Sequence, residues 1–164
     1  MRMLIAHGAS GTAASMRPHV DGLVARGIDA AAVDLPLRKA EKAVPVYREH
    51  LEAQALPATE TVVSGQSYGG RVGSLLAAQA EPGCAAVICF SYPLHRPGQP
   101  AWEERTAHWP AIDVPALLLS GESDPFARID LLRRAVETRL PRARLVTYPK
   151  LGHSLKPVLD AALD

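Results

Sequence analysis

A serine framed by glycines is the residue of this sequence best suited to covalent chemistry. The stretch from Thr61 to Arg71 is an apolar run that ends in Gly-Gln-Ser-Tyr-Gly-Gly. In a Gly-x-Ser-x-Gly motif of this kind a strand turns sharply into a helix, and Gly65 and Gly69 leave room for the turn. Ser67 is then held in a strained conformation with its hydroxyl exposed, where the helix N-terminus favours developing negative charge. The sequence therefore predicts Ser67 as a nucleophile.

Two downstream residues complete the chemistry that such a serine needs. A serine hydroxyl is a weak nucleophile until a base removes its proton. His153 stands in a Gly-His-Ser loop after the last apolar run, and Asp124 follows the run before it. We predict that His153 is the base and that Asp124 orients its ring and stabilises the imidazolium. Two alternatives stay open: His153 as an ordinary loop histidine, and Asp124 as a turn former with Glu122 or Asp130 in its role.

Further residues near the strand ends are candidates for binding. The oxyanion of a tetrahedral intermediate needs two N–H donors, for which we predict the backbone amides of Tyr68 and Ala9. His7 is expected to orient the loop that carries Ala9. Together with Tyr92 and His95 it forms the candidate substrate-binding set, although simple loop packing explains Tyr92 and His95 equally well. Because acyl transfer through serine requires neither, no metal and no cofactor are expected.

Apolar runs alternate with helical patterns along the whole chain. We interpret six of these runs as strands, at 4–6, 28–33, 61–64, 85–90, 116–119 and 145–148. Such alternation predicts an α/β fold in which a parallel sheet is covered by helices on both faces. Sites in these sheets lie beyond the carboxyl ends of the strands. The candidate residues directly follow predicted strands and should gather at one edge: His7, Ser67, Tyr92, Asp124 and His153.

Three of the predicted helices are specific enough to compare with a structure. The first runs from a cap at Ser15 to Arg26, with Val24 among its buried residues. The second covers 46–56 and starts after Pro45. A short third helix is expected over 102–109. Patterns of this kind indicate that a helix exists more securely than they indicate where it ends.

Length and composition restrict the class of protein. A chain of 164 residues fits a single domain over residues 1–164. Its net charge of +1 gives no reason to expect nucleic acid or an acidic membrane as a partner. No apolar run reaches the length of a signal segment or a membrane span, so the expected location is the cytoplasm. Cys84 and Cys89 stand too close along one strand to pair, which predicts free buried thiols.

Several of these motifs together resemble a known superfamily. The elbow Gly65–Arg71, the stretch Ser91-Tyr92-Pro93-Leu94-His95 and Asp124-Pro125-Phe126 are similar to those of alpha/beta-hydrolases, which use Ser, Asp and His in this order. More narrowly, the chain resembles a small branch of dienelactone-hydrolase-like enzymes and of testis-expressed or NSL-complex-associated (histone-acetyltransferase-associated) hydrolase-like proteins. The resemblance covers nearly the whole chain. It implies a three-layer sandwich with a mainly parallel six-stranded sheet of order 2-1-3-4-5-6, without a cap domain.

The resemblance also implies an activity. A member of this superfamily would be a serine hydrolase that cleaves an ester, thioester or similar small-molecule acyl substrate through an acyl-enzyme. Some relatives in the branch look like scaffolds, so a non-catalytic binding protein is the alternative. An acyltransferase using the same serine ester is a third hypothesis. The sequence leaves open the acyl chain length, the oligomeric state and whether residues 92–112 act as a lid.

Overall fold

The sheet at the centre of the molecule confirms the predicted topology. A computed structural model describes residues 1–81 and 83–164. Six strands, paired in parallel throughout, form one sheet in the order β2-β1-β3-β4-β5-β6. The strands are β1 (Arg2–Ala6), β2 (Asp29–Val33), β3 (Thr61–Gln66), β4 (Ala86–Phe90), β5 (Ala116–Gly121) and β6 (Ala143–Tyr148).

Helices cover both faces of this sheet. They are α1 (Arg17–Ala25), α2 (Ala40–Glu52), α3 (Tyr68–Ala77), α4 (Ile129–Arg139) and α5 (Leu159–Leu163). Successive residues of β1 separate the two layers: Ile5 packs in the cluster of α1 and α5, and Leu4 in that of α2, α3 and α4. Because strands buried on both faces need apolar residues at every position, the runs seen in the sequence are nearly continuous.

The helix boundaries differ from those predicted. Helix α2 begins at Ala40 and contains Pro45 in its interior, so the predicted start after Pro45 is wrong. Pro45 is exposed, and the hydrogen bond lost through its missing N–H therefore falls on the solvated side of the helix. Val24 in α1 is 54% exposed, contrary to its predicted burial. The helix expected over 102–109 is replaced by two short 3-10 segments, Glu104–Thr106 and Trp109–Ala111.

The segment between β4 and β5 packs onto the domain core. Tyr92, Leu94, Trp102 and Trp109 are all buried in the core cluster on the α2–α3–α4 face. The Trp109 ring meets that of Tyr92 edge to face, with centroids 5.0 Å apart. The buried aromatic residues anchor the segment to the core on both sides of residues 96–101, which are exposed.

Both cysteines are free and buried, as predicted. Burial disfavours the thiolate and raises the pKa of Cys84 to about 11 and that of Cys89 to about 12. Neither is therefore a nucleophile near neutral pH. In the described parts of the chain, no helix has the length and apolar character required to cross a membrane.

Candidate active site

Ser67 lies in a sharp turn between the end of β3 and the start of α3. Its backbone has φ 50° and ψ −112°, a left-handed conformation that is unfavourable for a residue other than glycine. A hydrogen bond from the Ser67 N–H to the carbonyl of Phe90, 2.8 Å long, helps to hold it. A Cβ atom on Gly69 would lie 2.5 Å from the Ala6 carbonyl oxygen, and one on Gly65 would overlap the backbone of Gly69. Both positions therefore require glycine.

An imidazole and a carboxylate stand in line with this serine. His153 Nε2 lies 2.8 Å from Ser67 Oγ, and His153 Nδ1 lies 2.8 Å from Asp124 Oδ2. The Asp124 side chain is fully buried, whereas that of His153 is 25% exposed. With Nδ1 donating to the carboxylate, Nε2 is left as an acceptor facing the hydroxyl. The three residues predicted from the sequence are thus brought together.

Phe126 contacts both Asp124 and His153. Its backbone N–H donates to Asp124 Oδ1 over 2.8 Å, so each carboxylate oxygen of Asp124 has a partner. Its ring lies against the imidazole of His153, with centroids 4.5 Å apart and planes inclined by 38°. Phe126 therefore limits the rotation of both side chains. In the sequence it stood within the Asp-Pro-Phe motif, yet nothing there indicated a contact with His153.

The two alternative carboxylates lie elsewhere. Glu122 Oε1 is 3.1 Å from the Arg133 guanidinium, and Asp130 is 2.8 Å from that of Arg128. Neither is hydrogen-bonded to His153, whose carboxylate partner is Asp124.

A close contact between the loops after β5 and β6 sets the position of Asp124 relative to His153. Gly121, the last residue of β5, lies against the backbone of Leu151 and Gly152, and a Cβ there would overlap both carbonyl oxygens. The Ser123 N–H donates to the Leu151 carbonyl over 2.8 Å. The loop after β5 and the loop after β6 are therefore joined through their backbones. The requirement for glycine at 121 was not recognised in the sequence, where Gly-x-x-Asp was the only available signal.

The two predicted oxyanion donors have free backbone amides. Tyr68 is the first residue of α3, and Ala9 lies in the loop after β1 that lines the same cleft as Ser67. Within the described chain, neither N–H donates to an acceptor. A hydrogen bond from the Gly69 N–H to the His7 carbonyl, 3.1 Å long, ties the loop to the helix. Both donors remain candidates for binding an oxyanion.

His7 is buried beneath the loop after β1 and does not line the cleft. It is 2% exposed. Its Nε2 accepts a hydrogen bond from the Leu35 N–H over 3.0 Å, and its Nδ1 lies 2.8 Å from the Gly8 carbonyl, to which it donates. This geometry agrees with the predicted orienting role and corrects the prediction that His7 contacts substrate.

Tyr92 and His95 also fail to reach the cleft. Tyr92 is 1% exposed and its hydroxyl donates to the Arg105 carbonyl over 2.6 Å. His95 is 2% exposed and its Nε2 accepts from the Arg128 N–H over 3.0 Å. Their polar atoms are used to fix the segment after β4, so the predicted contact with substrate is corrected to the alternative of loop packing.

The cleft above Ser67 has a volume of about 600 Å³. Besides Ser67 and His153, its walls include the loop Gly8–Gly11, Gln66, Phe126 and Lys156. No sequence pattern indicated Lys156, because its place beside the cleft depends on how the chain turns after His153. In the ranges that the structure describes, no group of three or more His, Cys, Asp or Glu residues could hold a metal ion.

Solved structures similar to this chain come from several kinds of hydrolase. A monoacylglycerol lipase from Paleococcus ferrophilus superposes with a TM-score of 0.82 at 14% identity, over 98% of this chain and 91% of the lipase. A thioesterase domain from the curacin biosynthetic pathway gives 0.78 at 14% identity, over 98% and 88%. A protein described as a predicted CIB-like hydrolase from Thermoplasma acidophilum gives 0.77 at 20% identity, over 99% and 84%. At these identities the likeness shows the fold.

The sequence itself identifies the family. No curated protein is significantly similar to the chain. The family model of the alpha/beta hydrolase domain, however, matches residues 1–162, which is nearly the full length. Together with the six-stranded parallel sheet and its helices on both faces, this match supports a hydrolase. The chain belongs to the alpha/beta hydrolase domain family.

Proposed function

We propose that the protein is a serine hydrolase that cleaves an ester, thioester or similar acyl substrate. The observation that carries this proposal is the hydrogen-bonded series from Asp124 to His153 to Ser67, each step 2.8 Å long, which ends in an accessible cleft. A strained serine in such a series has the elements of nucleophilic catalysis. A purely structural turn has no need of a buried carboxylate aligned on an exposed imidazole.

The residues account for each proton in the reaction. Ser67 Oγ attacks the acyl carbon while His153 Nε2 takes its proton, and Asp124 stabilises the imidazolium. The oxygen of the tetrahedral intermediate accepts hydrogen bonds from the amides of Tyr68 and Ala9. His153 then gives the proton to the leaving alcohol or thiol, which departs and leaves an ester on Ser67. Water, deprotonated by His153, attacks that ester, and the proton returns to Ser67 as the acid is released.

The cleft favours small acyl compounds. Its volume of about 600 Å³ lies within the range of small-molecule sites. The similar structures include a lipase and a thioesterase, which between them use oxygen and sulfur esters. Since Phe126 is the aromatic residue of the wall and backbone amides and serines form much of the rest, the proposed substrates have short or polar acyl groups.

Covalent labelling tests the nucleophile directly. The protein should react with a fluorophosphonate probe and hydrolyse short p-nitrophenyl esters. Ser67→Ala should abolish labelling and lower kcat/KM by roughly 10³-fold or more. The matched control is Ser91→Ala, a serine that also follows a strand in a left-handed conformation and is 1% exposed, and it should change kcat/KM less than about twofold. Labelling that persists in Ser67→Ala would reject the assignment.

The same experiment addresses the two competing functions. Folded protein that reacts with no acyl probe would favour a non-catalytic binding or scaffold role. An acyltransferase would label on Ser67 but would give more ester or amide than free acid when an alcohol or amine is added, because the added nucleophile would compete with water for the acyl-enzyme.

A further inference from the structure

A second recess lies at the start of helices α2 and α3. It consists of two adjoining hollows of about 450 and 280 Å³, which share Arg71, Arg96 and Glu104. Its walls come from the first turn of α2, the first turn of α3 and the segment after β4. None of its lining residues also lines the cleft around Ser67, so the reaction described above leaves this recess unexplained.

Positive charge is concentrated in this recess. Five cationic side chains and two carboxylates line it, for a net charge of +3, although the whole chain carries only +1. The cations are Lys39, Lys42, Arg71, Arg96 and Arg105, and the carboxylates are Glu41 and Glu104.

Only one ion pair relieves this concentration of charge. The Arg71 guanidinium is 2.6 Å from Glu41 Oε1. Among the residues that the structure describes, the other four cations have no carboxylate oxygen within 4.0 Å. Arg71 is itself largely buried, with 17% of its side chain exposed, and its Nε has no hydrogen-bond acceptor in the described chain. The recess therefore has an unmet requirement for negative charge.

The surrounding backbone holds the Arg105 side chain and the turn that carries Arg96. The Arg105 guanidinium donates to the Pro93 carbonyl over 2.8 Å. The backbone of Arg96 is fixed in a tight turn, in which its carbonyl accepts from the Gln99 N–H over 3.0 Å and from His95 Nδ1 over 2.9 Å. Burial, with the charges of Arg71 and Arg96, lowers the pKa of Arg105. The fold thus keeps three guanidinium groups near one another despite their repulsion.

We infer that this recess binds a phosphate group. Guanidinium groups present planar pairs of donors that match phosphate oxygens, and lysines add point charges. Since the net charge is +3, a phosphate dianion balances it better than a single carboxylate does. Lys39 and Ala40, at the N-terminus of the 13-residue helix α2, also line the recess, and amides at such a position favour phosphate oxygens.

Calorimetric titration at constant ionic strength tests this inference. Inorganic phosphate should bind saturably with a one-to-one stoichiometry. Arg96→Gln, an exposed residue on the rim, should weaken binding about tenfold through the loss of a charge-assisted hydrogen bond. Glu104→Gln should strengthen binding, because it removes a repelling carboxylate. Arg134→Gln is the matched control, since it removes the same charge from an exposed position of α4 and should leave the Kd within about twofold.

Two further arms identify the source of the phosphate. Adenosine 3′,5′-bisphosphate binding at least tenfold more tightly than inorganic phosphate would support a phosphate on a larger ligand, and equal affinities would support free phosphate. Saturation only by citrate, no saturation at all, or an equal loss in Arg96→Gln and Arg134→Gln would overturn the inference. Titration of Ser67→Ala should give the unaltered Kd, so binding is tested independently of the proposed hydrolase activity.

Discussion

Two serines at neighbouring strand ends have almost the same φ angle and different surroundings. Ser67 follows β3 with φ 50°, and Ser91 follows β4 with φ 53°. Each N–H donates to a carbonyl of the next strand in the sheet: that of Ser67 to Phe90, the last residue of β4, over 2.8 Å, and that of Ser91 to Leu119 of β5 over 2.7 Å. The left-handed turn is therefore a repeated solution for leaving this sheet, and it does not by itself create a nucleophile.

The difference between the two serines lies in what their hydroxyl groups meet. Ser67 opens onto a cleft, faces His153 and is followed at once by helix α3. Ser91 is 1% exposed, its hydroxyl has no partner within the described residues, and a loop beginning Tyr92-Pro93 follows it. Glycines at 65 and 69 allow the first arrangement, and the second has none. The proposed reactivity of Ser67 thus depends on His153, on helix α3 and on the two glycines that make room for that helix.

Removing the negative charge of Asp124 should cause the largest loss of activity at Ser67. Asp124→Asn keeps the shape of the acid but favours the wrong imidazole tautomer, so Ser67 should become nearly as inert as Ser91. We expect kcat/KM for a p-nitrophenyl ester to fall roughly 10³- to 10⁴-fold. Asp130→Asn, an exposed carboxylate paired with Arg128, should have less than about a twofold effect. Equal losses in the two variants would contradict the assigned role of Asp124.

Filling the space at Gly69, where helix α3 packs closely on the end of β1, should have the next largest effect, this time on the free energy of unfolding. In Gly69→Ala the new Cβ would lie 2.5 Å from the Ala6 carbonyl oxygen and 2.7 Å from that of His7. Because these are backbone atoms that cannot move aside, we expect a loss of about 3 kcal/mol in the free energy of unfolding. In Gly73→Ala, in the same helix, the new Cβ would make ordinary contacts with the Tyr47 ring at 3.5 Å and the Ser64 backbone at 3.9 Å, so the change should be neutral or stabilising by up to about 1 kcal/mol. Urea denaturation measures both.

The helix after Ser67 also introduces a dependence of stability on pH. His108 Nε2 lies 2.8 Å from Ser74 Oγ in α3. Burial, reinforced by the charge of Arg71 and opposed by Glu41, lowers the pKa of His108 to about 4. Since the unfolded chain binds this proton more readily, the stabilising contribution is complete above pH 6.5 and is lost as the pH falls towards 4.

Replacing His108 should remove that part of the pH dependence. The stability of the unmodified protein should fall by roughly 3 kcal/mol between neutral pH and pH 4 on account of this residue. His108→Gln, which can still bond to Ser74, should show a correspondingly smaller fall. A residual decrease is expected from His19, whose pKa burial also lowers. Identical profiles in chemical denaturation at a series of pH values would contradict the role of His108.

The smallest predicted effect distinguishes strain from function. Ser91→Gly relieves a left-handed backbone and removes a buried hydroxyl without a partner, so it should stabilise the fold by about 0.5 to 1 kcal/mol. Ser67→Gly relieves the same strain but also loses the bond to His153, so a smaller gain is expected, with loss of activity. Thermal unfolding and ester hydrolysis measured on both variants check this contrast. A destabilised Ser91→Gly would show that its turn stores no strain.

The sequence was most informative where the backbone itself imposes the residue type. Gly65, Ser67 and Gly69 revealed the elbow because a strand-to-helix turn admits few residues there. The convergence of Asp124 and His153 followed from parallel topology, which places the carboxyl ends of the strands at one edge. The strand order came from the resemblance to alpha/beta-hydrolases. These inferences needed no knowledge of side-chain packing.

The remaining features depended on contacts between distant segments. Tyr92 is buried against Trp109, and His95 accepts a hydrogen bond from the Arg128 N–H. A local sequence pattern does not reveal contacts between residues so far apart in the chain. The stacking of Phe126 on His153 likewise joins residues of separate loops. Pro45 misled the prediction because a proline on the solvated side of a helix costs less than one facing the core.

The position of Phe126 against the His153 ring matters for the proposed reaction. In the proposed reaction His153 takes up a proton and releases it twice, so its ring has to keep the same position between the two events. Its side chain is 25% exposed, so part of the ring faces solvent. The Phe126 ring packs against one side of the imidazole, and the Phe126 N–H donates to Asp124. Both contacts restrict rotation of the His153 ring. One neighbouring residue thus steadies an imidazole that is partly open to solvent.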